Sequence, residues 1–134
     1  MGSGIAKSIK EKWPIVYNNY MEMYNILNGV SGALLGDILT VNLWDDSCTT
    51  DSHQSVINMF SQEHYGYDGR RYTSYDAFWN CLCLIKKTVP KGSKIGFPDH
   101  IGCSLGGANW EVVRTMIEQV LGEDYEVYIY KLKV

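Results

Sequence analysis

No stretch of this sequence is apolar for long enough to cross a bilayer, and no apolar core follows the start, which reads Met1-Gly2-Ser3-Gly4-Ile5-Ala6-Lys7. Neither a membrane partner nor a secretory signal is expected, and the default location is the cytoplasm, a host's cytoplasm if the gene is phage-encoded. Positive charge is also scarce. The 12 Lys and Arg are outnumbered by 15 Asp and Glu, and the net charge is −3. No global basic field invites nucleic acid, so none is expected as a partner. The lysines that do cluster (Lys7, Lys10 and Lys12, then Lys86, Lys87, Lys91 and Lys94) fall where a helix face or helix end is expected, and read as solvated. Cysteine is limited to Cys48, Cys81, Cys83 and Cys103, whose spacing matches no zinc pattern; they read as reduced thiols. Asp45, Asp46 and Asp51 lack the glycine and glutamate of a calcium loop and read as a solvated turn. Neither a metal nor a cofactor is expected. Repeats, low-complexity segments and domain boundaries are likewise missing.

What is present suits one domain. The 134 residues are 46% hydrophobic, enough for one core. Ile5, Ile9 and Trp13 recur at helical spacing, and Pro14 ends that stretch or starts a new one. Ile15, Val16, Tyr20, Met23, Tyr24 and Leu27 give a second helical face, followed by a loop from Gly29 to Gly36. Leu39, Val41 and Leu43 alternate with Thr40 and Asn42 in a strand, and Ser55 to Phe60 forms another; the two are expected to pair as an antiparallel hairpin with a long tip. Residues 61 to 71 are irregular.

Thr73 followed by Asp76 predicts a capping-box start for a helix whose apolar face is Tyr75, Phe78, Trp79, Leu82 and Ile85. Pro90-Lys91-Gly92 stops it. Lys94 to Phe97 is a short strand. Asn109 is positioned to cap a helix with the stripe Trp110, Val113, Ile117, Val120 and Leu121, ended by Gly122, and Tyr125 to Leu132 is a last strand. The order α, β, β, α, β, α, β predicts an α/β fold, a mixed sheet with helices on both faces.

Two glycine-bearing segments carry the chemistry. Gly2-Ser3-Gly4-Ile5-Ala6 stands directly before a helix, where unpaired amides and bare backbone suit an anion. Gly96-Phe97-Pro98-Asp99-His100-Ile101-Gly102-Cys103-Ser104-Leu105-Gly106-Gly107-Ala108-Asn109-Trp110 follows a strand and precedes a helix, the placement of a phosphate nest at a strand's carboxyl end. His100, next to Asp99, is the candidate general acid or base. Cys103 lies among loop amides that could lower a thiol pKa, although small packing is the commoner role. Arg70 and Arg71, with His64 and Asp68, form a polar loop able to meet a terminal phosphate.

Together with Asn58-Met59-Phe60-Ser61-Gln62 and Arg71-Tyr72-Thr73-Ser74-Tyr75, these segments resemble successive blocks of a macrodomain. The similarity runs in order along nearly the whole chain. It is nearest the phage and bacterial group labelled ADP-ribose 1''-phosphate phosphatase, akin to the terminal ADP-ribose protein glycohydrolase. The resemblance implies a three-layer α/β/α fold with a mixed central sheet. It also implies an ADP-ribose-type ligand, which the protein binds or from whose 1''-phosphate it releases phosphate. Gly2, Ser3, Gly4 and Ile5 would line the distal ribose and diphosphate. Gly102, Cys103, Ser104, Leu105 and Gly106 would cradle the diphosphate from the other side, and Gln62 and Tyr72 would border the distal ribose. Macrodomains of this type have strand before the first glycine loop, so the chain reads as truncated at its start, and a homodimer or a fragile monomer is expected. The glycohydrolase branch also uses a lysine nucleophile and an aspartate. Gln62 and Gly106 stand at those positions here, which excludes that covalent route.

Overall fold

The structure is a computed structural model, and it describes residues 4–27, 31–43, 54–62, 71–103 and 106–131. Cα packing divides the chain into two compact units. One is Met1–Ala33 with Leu39–Asn58; the other is Leu34–Ile38 with Met59–Val134.

The first unit opens with helix α1 (Gly4–Lys12) and helix α2 (Pro14–Ile26). Pro14 occupies the first turn of α2, where its missing N–H is no loss. Trp13 precedes it without a side-chain cap. Of α2 only Val16 is buried. Its tyrosines form a run along one side instead, with ring centroids 6.4 Å apart for Tyr17–Tyr20 and 6.2 Å for Tyr20–Tyr24. Lys10 Nζ stands 3.9 Å from the Tyr17 ring centre. The expected loop before Gly36 contains, in its described part, one turn of 3₁₀ helix at Ser31–Leu34.

Strands β1 (Ile38–Asn42) and β2 (Ser55–Met59) pair with each other. Leu43 N–H donates to Gln54 O at one end and Phe60 N–H to Asp37 O at the other, so the pair is antiparallel, as the alternation predicts. Val41 is buried, while Thr40 and Asn42 are exposed.

The second unit holds helix α3 (Tyr75–Thr88), strand β3 (Lys94–Pro98), helix α4 (Trp110–Leu121) and strand β4 (Glu126–Tyr130). Strands β3 and β4 run parallel, with Gly96 opposite Tyr128 and Phe97 opposite Ile129. The expected mixed pairing is present, but among the described residues it is divided between two two-stranded ladders. Helices α3 and α4 pack together. Their buried faces are Ala77, Phe78, Cys81, Leu82 and Ile85 on α3 and Val113, Ile117, Val120 and Leu121 on α4. Tyr125 closes this layer: its hydroxyl donates to a carbonyl at the end of α3, Val89 O at 2.7 Å, with Lys86 O at 3.1 Å beside it.

Two expectations for α3 are corrected. Trp79 is 39% exposed, and Cys81 takes the core position expected of it, because the buried stripe steps from Phe78 by three and four residues. The cap is Ser74, whose side chain accepts from Ala77 N–H, and not Thr73. Thr73 is instead fully buried and committed elsewhere.

Candidate functional site

The segment from Asp99 to Asn109 joins β3 to α4. Asp99 N–H donates to Tyr130 O at 2.8 Å, continuing the parallel ladder one step past β3. The chain then coils into consecutive turns. Ile101 N–H donates to Pro98 O at 3.2 Å, Cys103 N–H to His100 O at 2.9 Å, and Ala108 N–H to Gly102 O at 3.0 Å. Gly102 (φ 76°) and Gly107 (φ 69°) occupy the left-handed region that glycine alone enters without strain. Ser104 and Leu105 lie outside the described residues.

A second segment holds this loop from beneath. Gln62 and Thr73 form an isolated antiparallel bridge, and Ser74 N–H donates to Ser61 O at 2.7 Å. The N–H groups of Tyr72 and Thr73 both donate to Gly106 O, at 2.7 and 2.9 Å. The Thr73 hydroxyl lies 2.9 Å from Gly102 O and 3.2 Å from Gln62 Oε1. A hydroxyl has one hydrogen. It goes to the shorter contact, and the Gln62 amide, whose two ends exchange by a half-turn, completes the second.

Packing here is tight. A Cβ at Gly106 would run into Thr73 Oγ1 and stand 2.5 Å from Gly102 O and 2.6 Å from Gln62 Oε1. Glycine at 106 is therefore required by space. Gln62, Tyr72, Gly102 and Gly106, named separately from the sequence, are brought into one cluster.

His100 stands at the loop's entrance with φ 58°, an uncommon conformation for a side-chain-bearing residue. Its Nδ1 lies 2.8 Å from Asp99 Oδ2, and its ring stacks on Trp110 with centroids 5.1 Å apart. Asp99 accepts the Nδ1–H, which leaves Nε2 of the neutral ring as the basic nitrogen. The side chain is 58% exposed, open to a ligand in solution.

The contacts continue around the start of α4. Asn109 Oδ1 accepts from Glu111 N–H at 2.9 Å, the expected cap. Asn109 N–H donates to the Tyr75 hydroxyl at 3.0 Å, and the Arg71 guanidinium stands 4.2 Å from the Tyr75 ring centre. The capped first turns of α3 and α4 thus meet beside the glycine loop.

Cys103 is a packing thiol, the commoner of its two expected roles. Burial, with the Asp99 carboxylate beside it, pushes its pKa up, and Sγ is spent on Ile101 O at 3.4 Å. Of the amino-terminal segment, Gly2 and Ser3 lie outside the described residues. Gly4 is the first residue of α1, and Ile5 is 57% exposed; both belong to the first unit. Among the described residues no three His, Cys, Asp or Glu side chains gather to hold a metal, and no helix is long and apolar enough to cross a membrane. A cavity of about 350 Å³ lies elsewhere in the second unit, between Gly36 and Asp37 on one side and Asn80, Cys83 and Lys87 of α3 on the other. It shares no residue with the glycine loop.

No family model and no curated protein matches this chain. Among solved structures, it is similar to the macrodomain of Thermus aquaticus DarG. The match has a TM-score of 0.67 and 22% identity, and covers 98% of this chain and 82% of that one. The chain has the macrodomain fold. The sequence expectation of fold is met. The residue whose role the sequence left hidden is Thr73, expected to be a cap. The available signal was two adjacent hydroxyl residues, only one of which can cap a helix. The β-branched one suits the extended bridge to Gln62.

Proposed function

We propose that this chain binds ADP-ribose or a close derivative, with the diphosphate seated on the loop from Gly102 to Gly107. The observation that carries this reading is the loop's polarity. The carbonyls of His100, Gly102 and Gly106 are all engaged by intramolecular donors. Among the described residues, the amides of Gly102, Gly106 and Gly107 have no acceptor. Such a loop is a set of free donors around bare backbone, suited to an anion without a lysine. The macrodomain fold supports the choice of ligand. Gln62 and Tyr72 border the distal ribose in this reading. Calorimetry with ADP-ribose tests it: saturable heat supports the reading, and none from folded protein removes it.

A second reading adds turnover, and the Asp99–His100 pair favours it. With ADP-ribose 1''-phosphate bound, His100 Nε2 takes a proton from water as the water oxygen bonds to phosphorus. The bond from phosphorus to the 1''-oxygen breaks, that oxygen takes the proton back from His100 Nε2, and ADP-ribose and inorganic phosphate leave. Phosphate release lost in His100→Ala, with ADP-ribose affinity kept, supports this step. Saturable binding without phosphate release leaves a binding module.

A further inference from the structure

We infer that Thr73 is the positioning residue of this site: its backbone N–H and its buried hydroxyl together hold the glycine loop, at Gly106 and at Gly102. The inference rests on the ligand reading above only for its functional consequence; its structural content stands separately. Thr73 is 1% exposed, one of the two polar side chains buried among the described residues. It engages the loop twice. Its N–H takes Gly106 O, and its hydroxyl takes Gly102 O. Both carbonyls are thereby turned toward the segment beneath. A peptide group has its C=O and N–H on opposite sides, so a carbonyl held inward directs the amide of the following residue away from it. The amide that follows Gly106 O is that of Gly107, which has no acceptor among the described residues.

The side chain also fixes spacing. A Cβ on Gly102 would stand 3.3 Å from Thr73 Oγ1, and one on Gly106 would collide with the same atom. The loop's backbone therefore rests directly on one threonine. The same oxygen meets the Gln62 amide and fixes the orientation of a residue placed at the distal ribose. A single hydroxyl thus links the two halves of the site. Valine has nearly the shape of threonine and cannot donate. It would leave Gly102 O with Ala108 N–H as its one donor and would loosen that part of the loop and the Gln62 amide, while the N–H groups of residues 72 and 73 still hold Gly106 O.

The test compares Thr73→Val with Thr73→Ser in the full chain, by hydrogen exchange and by ADP-ribose calorimetry. Thr73→Val is expected to speed exchange of the Ala108 and Cys103 amides while β3 and β4 keep their protection. It should weaken ADP-ribose binding roughly tenfold. Thr73→Ser, which keeps the hydroxyl, should restore both to within about threefold of the parent. Unchanged loop exchange in Thr73→Val overturns the inference. So does equal loss in the serine and valine variants, which would mean that shape and not the hydroxyl matters. If the parent binds no ADP-ribose, the ligand reading fails, and the exchange comparison still decides the role of Thr73.

Discussion

Helices α2 and α4 are of similar length, 13 and 12 residues, but α4 carries the sharper apolar periodicity, and the two differ in the structure accordingly. Helix α4 buries Val113, Ile117, Val120 and Leu121 and begins on the Asn109 cap; α2 buries Val16 alone and begins on Trp13 without a side-chain cap. Short helices draw most of their stability from tertiary burial, so the two depend on their surroundings unequally. The difference teaches where rigidity is placed. The glycine loop is anchored at one end to α4 and braced by the segment that leads into α3, both in the well-buried unit. A loop that must present amides in fixed directions gains from such supports, because freedom lost before binding is not lost again on binding.

This contrast can be broken or sharpened by mutation. The largest effect is expected from the α3 core. Phe78→Ala, at a fully buried site, should cost ~3–5 kcal/mol in urea unfolding. By contrast Ile26→Ala, at the 73% exposed end of α2, should stay within roughly 0.5 kcal/mol. Equal losses at the two sites would remove the asymmetry. Next in size is the cap: Asn109→Ala should cost about 1 kcal/mol, read from the same unfolding curves.

A smaller, pH-dependent effect is expected from Cys81. Its Sγ–H donates to Asp37 O at 3.3 Å, and burial pushes the thiol from an ordinary 9.0 up to about 11. The folded chain holds this proton more tightly than the unfolded one. The associated stability is complete below pH 9.0 and is lost as pH rises toward about 11. Stability measured across that range should fall more steeply in the parent than in Cys81→Ala. Parallel curves would show that the thiol is not held this way.

Much of the architecture was legible in the chain because its signals are local. Asn109 before an apolar stripe, Pro14 at a helix start and the alternation from Leu39 to Leu43 each act within a few residues. The site was legible in part for the same reason: glycines at 102, 106 and 107 mark bare backbone. What brings Gln62 and Thr73 to that loop is a bridge and a hydroxyl contact spanning 29 residues between Thr73 and Gly102. In the local pattern around Thr73 only its β-branching separates a buried brace from a helix cap. The space that forces glycine at 106 exists only once three segments meet. The environment of Cys103 is likewise set by burial and by Asp99, not by the amides nearest in sequence.

The most direct measurement follows the backbone amides of the glycine loop by NMR while ADP-ribose is added. The account predicts that the Gly102, Gly106 and Gly107 resonances move most and saturate with the ligand, while those of α2 stay near their starting positions. Saturable binding that leaves these three glycine amides unmoved, or no binding by the folded protein, would contradict it.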